Sequence, residues 1–310
     1  MPFALFRRAQ PPADTPPPRL AEQGRFTQLD RLDVLPHLSD TAVRAMALAN
    51  DPDSTLADMA ALIRRDGVLA AATLKLANSV VYRGAREVTD IRQAVLRLGQ
   101  RGCGGVIAAA GVKNLYARLS PAVRKPCESV LRHSLFVGEL ASAVARFLRL
   151  QFGGEEFTAG LLHDIGRVVM CVNAPDHYAE VCTPARDAHP DGRRMERVAF
   201  GTDHCTVGGQ FAAKNGLPPR IALAIENHHD PDAESESRPL TAVVALADAI
   251  ANHLQLERDL ATFPLDAHPA FAVLRRLAAA DRVLDLQVEL RLLVVECVRQ
   301  ARSVLRSMPD

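Results

Sequence analysis

Seven ionisable side chains stand where the sequence is otherwise building apolar core. His163 and Asp164 sit side by side in GLLHDIGRVVM. His133 lies within VLRHSLFVGEL, His204 opens HCTVGGQFAA, His228 and His229 close IALAIENHHD, and Asp248 interrupts TAVVALADAIANHL. Each is costly to bury without a partner. Together the imidazoles and carboxylates form a nitrogen and oxygen ligand set suited to divalent transition metals (Fe, Mn, Zn, Ni or Co) rather than to Ca or Mg alone. On one continuous helix His163 and Asp164 point about 100° apart, so they cannot share a packing stripe, yet both can reach a cation between their directions. An isolated HD dipeptide fits a buried His–Asp hydrogen bond equally well.

The elements that must position these residues read as helices throughout. In the first half, apolar residues recur at helical spacing in TAVRAMALA, LADMAALIRR, VLAAATLKLANS and IRQAVLRLG, separated by DPDS, RRDG, YRGARE and GQRGCGG. Asp53 or Ser54 is placed to cap the second of these helices. After the break at ARLSPAVRKPCES, helices are predicted near 126–149, 155–166, 203–214, 218–229 and 240–254, with an irregular stretch around DAHPDGRR. A further amphipathic segment runs from about 268 to 306; its stretch LQVELRLLVVECVRQARSVL is apolar around much of its circumference and is expected to pack rather than stand free.

Composition bounds the partners. The 310 residues, 48% of them hydrophobic, suffice for one large domain or two modest ones. A net charge of +1 gives no indication of nucleic acid or of a membrane as a partner. No apolar run is long enough to span a bilayer, and the opening MPFALFRRAQPP is too short in its apolar patch for a signal peptide, so a cytoplasmic location is expected. Cys103, Cys127, Cys171, Cys182, Cys205 and Cys297 contain no C-x-x-C pair, which argues for free thiols buried as small hydrophobes.

Order and spacing carry a resemblance. The series His133, His163–Asp164, His204, His228–His229, Asp248 resembles the metal framework of the HD superfamily of phosphohydrolases, in particular its HD-GYP branch of cyclic di-GMP phosphodiesterases. The stretch from LPHLSDTAVRAMALANDPDSTLADMAALIRRDG through LKLANS to IRQAVLRLG resembles the opening of an HDOD domain, the HD-related output domain of bacterial signalling proteins. AGLLHDIGRVV, ERVAFGTDHCTVGGQFAAKNGLP and IENHHDP continue the match in order.

The resemblance implies an all-α fold in two helical lobes. A Pro-rich leader over 1–26 precedes an HDOD N-terminal lobe over 27–120, an HD-like lobe bearing the His/Asp site over 121–255 and a C-terminal helical extension over 256–310. It further implies one or two divalent metal ions. His133, His163, Asp164 and Asp248 would hold the first, and His204, His228 and His229, with Asp164 bridging, the second. Two such ions at about 3.5 to 4 Å would activate a bridging water and neutralise a phosphoryl oxygen. The chain departs from the HD-GYP pattern at three points: Arg167 stands where that branch has lysine, no GYP signature follows His229, and Ser129 stands where some members have a third-metal glutamate. Arg167 retains the capacity to bind phosphate as a planar fork.

Two functions follow as expectations. The first is a bacterial signal-transduction module with a metal-binding pocket, acting through a signalling protein partner or a nucleotide or phosphoester ligand. The alternative is a metal-dependent phosphohydrolase, with cyclic di-GMP as a candidate substrate and Asp164 and Arg167 as its catalytic residues. Outside the constellation, Asn78–Ser79 reads as a helix cap, GCGG at 102–105 as a turn with close helix approach, and RMER and LRRL as solvated faces. His37, His177, His189, His253 and His268 read as surface or ordinary packing.

Overall fold

Helices begin here where a short polar side chain can satisfy the open backbone N–H groups of a first turn. In the computed structural model, which describes residues 38–51, 53–82, 84, 86–117, 121–174, 192–233 and 235–308, Ser39 caps α1 (Asp40–Asn50) by accepting from Ala42 N. Thr55, rather than Asp53 or Ser54, caps α2 (Leu56–Ile63) through a reciprocal capping box with Asp58. Asp66 caps α3 (Gly67–Ala77), accepting from the N–H groups of Val68 and Leu69.

The chain continues through α4 (Ile91–Ala117), kinked at Gly99, and the long α5 (Pro121–Phe147). Then come α6 (Glu155–Leu162), α7 (Ile165–Asn173), α8 (Gly192–Phe200), α9 (His204–Lys214), α10 (Pro219–Asn227) and α11 (Arg238–Gln255). Two single 3-10 turns, Leu260–Thr262 and Leu265–Ala267, lead into α12 (Pro269–Leu277) and α13 (Ala280–Ser307). No strand occurs among the described residues, as the all-α reading requires. None of their helices is long and apolar enough to cross a membrane. The Pro-rich leader, Cys182, His37, His177 and His189 lie outside the described residues.

Helices α1, α2 and α3 pack on α4, while α5 packs against α6, α11 and α13. α4 meets α5 and α6, and α13 touches both α5 and α3, so buried side chains from Leu38 to Met308 join in one continuous cluster. α11 is buried on nearly every side, which explains why its sequence is apolar around its circumference and why Asp248 within it stands out. α13 packs one face as expected, through Leu286, Leu290, Val294 and Cys297, yet leaves Leu284, Val288 and Leu292 exposed on the other.

Three local expectations change. GCGG is helical, within α4; its close approach is real, because a Cβ on Gly104 would overlap Ala49 Cβ of α1. The stretch after DAHPDG forms α8, whose Glu196 and Phe200 turn inward at i, i+4, so RMER is a solvated face only in part. Asn78 does end α3 as its C-cap residue, its N–H donating to Leu74 O and Leu76 O, but the backbone groups that its side chain satisfies lie outside that helix. Its Nδ2 donates to Val88 O at 2.7 Å and its Oδ1 accepts from Val88 N at 2.8 Å, which pins the far end of the α3–α4 connection.

Replacing Asn78 by Ala removes both bonds and leaves the Val88 backbone groups unpaired. Asn78→Ala is expected to lower unfolding stability by about 1–3 kcal/mol, read from denaturant titration, with metal content unchanged. A loss of bound metal at full stability would instead give Asn78 a role at the site.

Candidate metal centre

The helix predicted across 155–166 breaks at the dipeptide itself. α6 ends on His163, still in the right-handed region, and α7 starts after Asp164, whose φ of −99° and ψ of 11° are not helical. The turn brings the two side chains together, His163 Nε2 lying 3.5 Å from Asp164 Oδ2, where a straight helix would splay them apart. Gly166 lets α7 press against the start of α9: a Cβ there would overlap His204 O.

Backbone carbonyls and a carboxylate fix which imidazole nitrogen faces inward. His163 Nδ1–H donates to Gly160 O at 2.7 Å, and His228 Nδ1–H donates to Ile225 O at 2.7 Å. Both Nε2 atoms are buried with no hydrogen-bond partner. His204 Nδ1–H donates to Glu196 Oε2 at 2.6 Å, so its Nε2 also points inward, 3.5 Å from Asp164 Oδ1. A ring whose Nδ1–H is held by an oxygen presents a lone pair at Nε2, the arrangement in which metal-ligating histidines are oriented.

The remaining groups close the cluster. His163 Nε2 lies 3.4 Å from Asp248 Oδ1, and His133 Nε2–H donates to the same oxygen at 2.9 Å. Gln255 Nε2 contacts His133 Nδ1 at 2.5 Å; turning that amide end for end would place its oxygen on Nδ1 and free Nε2. Asn252 Nδ2 donates to Asp248 Oδ1 at 2.9 Å. His229, the most open of the five imidazoles, brings Nε2 to 3.2 Å from His204 Nε2. His133, His163, Asp164, His204, His228, His229 and Asp248, drawn from α5, the α6–α7 turn, α9, the end of α10 and α11, thus converge on one interior region.

A ring of charge supports them. Arg167 Nε donates to Asp164 Oδ1 at 2.8 Å, Arg167 Nη1 to Glu196 Oε1 at 3.2 Å, and Glu196 Oε2 also accepts from His204 N at 2.8 Å. Burial alone would raise the Asp164 carboxyl, but Arg167 and the surrounding imidazoles hold it well below the usual carboxylate range. Asp248 is likewise held low against burial, chiefly by His133 and His163. Burial pushes His228 well down, keeping it neutral. His163 is raised despite burial because Asp164 and Asp248 face it, so a proton and a cation compete for one nitrogen. The unpartnered Nε2 of His163, set between two ionised carboxylates, and that of His228 nearby fit a divalent ion of the imidazole-binding class.

One side of the cluster opens into a cavity of about 480 Å³ whose wall includes Arg167, Arg193, His228, His229 and Asp248. His253 and His268, expected to be ordinary packing, also line it. His253 Nε2–H donates to Asp259 O at 2.8 Å, and its ring meets Phe263 edge to face. Glu196, Asn252 and Gln255 are further contributors not singled out from the sequence. For the last two a signal existed: Asp248, Asn252 and Gln255 recur at i, i+4, i+7 on one face of α11.

The HDOD domain family matches residues 35–231, and the chain belongs to that family. Asp248 and the cavity residues His253 and His268 lie beyond the matched span. An uncharacterized protein of Treponema pallidum is 25% identical over 236 residues, covering 76% of this chain and 45% of its own length, so the chain spans less than half of that relative. The crystal structure of an HDOD domain protein of unknown function from Geobacter sulfurreducens is similar with a TM-score of 0.70 at 27% identity, covering 88% of this chain and 95% of that one. Two further structures share the fold. A candidate signal transduction protein from Marinobacter aquaeolei has a TM-score of 0.70 at 20% identity, covering 91% of this chain and 62% of its own. A candidate phosphohydrolase from Shewanella amazonensis has a TM-score of 0.65 at 22% identity, covering 88% of this chain and 97% of its own.

Glu196 makes the supporting ring sensitive to acid. Burial would raise its carboxyl, but His204 and Arg167 bring it down to about 2 from an ordinary 4.5. A carboxyl depressed by folding contributes stability that is complete above its unfolded value and lost as pH falls through its folded one. In metal-free protein, unfolding stability should therefore fall from about pH 4.5 towards pH 2 more steeply in wild type than in Glu196→Gln. At neutral pH that variant should be less stable by up to about 3–5 kcal/mol, because Arg167 is left underpaired in the interior. Parallel pH profiles from denaturant titration would contradict the ring's role.

Proposed function

We propose that the chain is a metal-binding signalling module of the bacterial cytoplasm, whose pocket senses a phosphoester or nucleotide ligand and passes its occupancy to a protein partner. The observation that carries the metal reading is the pair of buried, unpartnered Nε2 atoms of His163 and His228: that of His163 faces the carboxylates of Asp164 and Asp248 at 3.5 and 3.4 Å, and ligand atoms of His163, Asp164 and His228 lie within 4.8 Å of one another. His133, His163, Asp164 and Asp248 would hold one ion, and His204, His228 and His229 a second. The chemistry such an ion supplies when bound is Lewis-acid neutralisation of a phosphoryl oxygen.

Sensing is favoured over turnover by Arg167. The group expected to grip a substrate phosphate is committed to Asp164 and Glu196, and releasing it would uncover both carboxylates in the interior. The family and the signalling likeness in fold support the same reading. A second reading, metal-dependent phosphohydrolase, is favoured by one observation: the cavity brings Asp248, His228 and His229 within reach of a bound phosphoester. In that reading Asp164 and Arg167 would be the catalytic pair, with cyclic di-GMP a candidate substrate.

Protein purified without a metal-affinity tag is expected to carry one or two divalent transition metal ions per chain by elemental analysis, and His163→Ala and Asp164→Ala each to lose the ion that those residues hold. Chelation should lower the wild-type melting temperature, since ligands from separate helices make metal binding favour the folded state. Metal content unchanged from wild type in both variants would overturn the site. Metal-loaded wild type is expected to hydrolyse no phosphodiester above background; turnover of cyclic di-GMP or another phosphodiester, lost in Asp164→Ala, would establish the second reading instead.

A further inference from the structure

The ligand set read from the sequence contains no sulfur, but the structure places one beside it. Cys205 follows His204 on the first turn of α9 and is wholly buried. Its Sγ lies 3.4 Å from His204 Nε2 and 3.9 Å from His228 Nδ1. His229 Nε2 stands 3.2 Å from the same His204 nitrogen. Ligand atoms of His204, Cys205, His228 and His229 all lie within 4.8 Å of one another.

These spacings match the edges of a tetrahedral metal site. With metal–nitrogen bonds of about 2.0–2.1 Å and a metal–sulfur bond of about 2.3 Å, two imidazole nitrogens sit about 3.3 Å apart and a nitrogen and a sulfur about 3.6 Å apart. The observed His204–His229 and His204–Cys205 separations of 3.2 and 3.4 Å need little adjustment. The described cysteines 103, 127, 171 and 297 are also buried, as small apolar groups generally are. Cys205 differs in having imidazole nitrogens around its sulfur, and the His204 ring beside it is held through Nδ1 by Glu196 so that Nε2 faces the sulfur.

We propose that Cys205 is a metal ligand, and that the centre is chemically divided. One half, His133, His163, Asp164 and Asp248, offers nitrogen and oxygen; the other, His204, Cys205 and His229 with His228 alongside, offers nitrogen and sulfur. On binding, the thiol gives its proton to solvent as the metal–sulfur bond forms. The thiolate half selects zinc, and cobalt as its spectroscopic substitute, over manganese or magnesium, whereas the carboxylate half accepts harder ions. The inference rests on the reading that the centre binds metal at all.

The test uses the full chain, stripped of metal with a chelator and titrated with Co(II), with bound cobalt measured by elemental analysis. Wild type is expected to develop a thiolate-to-cobalt charge-transfer band in the near ultraviolet, and Cys205→Ser and Cys205→Ala to bind cobalt with that band reduced to background. Bound cobalt with no such band in wild type overturns the assignment of Cys205 while leaving the metal centre standing. A band that persists in both variants also overturns it, by locating the sulfur elsewhere. No bound cobalt overturns the assignment and the metal centre together. X-ray absorption of zinc-loaded wild type needs no variant: a sulfur shell at about 2.3 Å is expected, and a shell of nitrogen and oxygen alone would refute the proposal.

Discussion

Imidazole lone pairs and ionised carboxylates crowded into a water-poor interior are tolerable only when positive charge is placed among them. Arg167 supplies one such charge, but it sits to the side, bound to Asp164 and Glu196. The Nε2 atoms of His163 and His228 have no hydrogen-bond partner, although His163 Nε2 lies 3.5 Å from Asp164 and 3.4 Å from Asp248. Much of the surrounding structure follows from holding these groups against their own electrostatics. Gly160 O and Ile225 O each lie three residues before the histidine they orient, so the last turn of α6 and of α10 aims its own ring. Gly166 brings α7 and α9 close enough for Asp164 and His204 to share the centre.

The same arrangement links the centre to parts of the chain outside the family's matched span. α11 delivers Asp248 and, one and two turns on, the amides of Asn252 and Gln255 that fix Asp248 and His133. The segment after α11 then folds back so that Phe263 and His268 wall the cavity next to Asp248. The cavity wall thus combines His228 and His229 with this C-terminal segment. It reaches the start of α12 at His268 and Pro269, and α12 packs on α11, the helix that carries Asp248.

Much of the centre could be read from residue types and spacing, because an ionisable residue inside an apolar helix is conspicuous. Asp248 in α11 and His133 in α5 are such cases. What could not be read depends on tertiary contact. Periodicity carries a helix straight through His163 and Asp164, since neither is a breaker, and the turn there is imposed by packing. Glu196 looks solvated in RMER because its partners, Arg167 and His204, come from other helices. Cys205 looks like any buried thiol until the rings of His204 and His228 are seen beside it. Asn78 sits where a cap belongs, yet its side chain reaches ten residues on to Val88.

The central claim is that a cation belongs at His163 Nε2 and the carboxylates of Asp164 and Asp248, with His228 among the ligands of a neighbouring second ion. An anomalous difference map, recorded at the absorption edge of the metal found in protein crystallised near neutral pH without chelator, tests it most directly. The account predicts a peak within coordination distance of His163 Nε2 and of Asp164, and, where a second ion is bound, another beside His204, His228 and His229. A map featureless there, with His163 and His228 instead hydrogen-bonded as protonated rings to the two carboxylates, would contradict it.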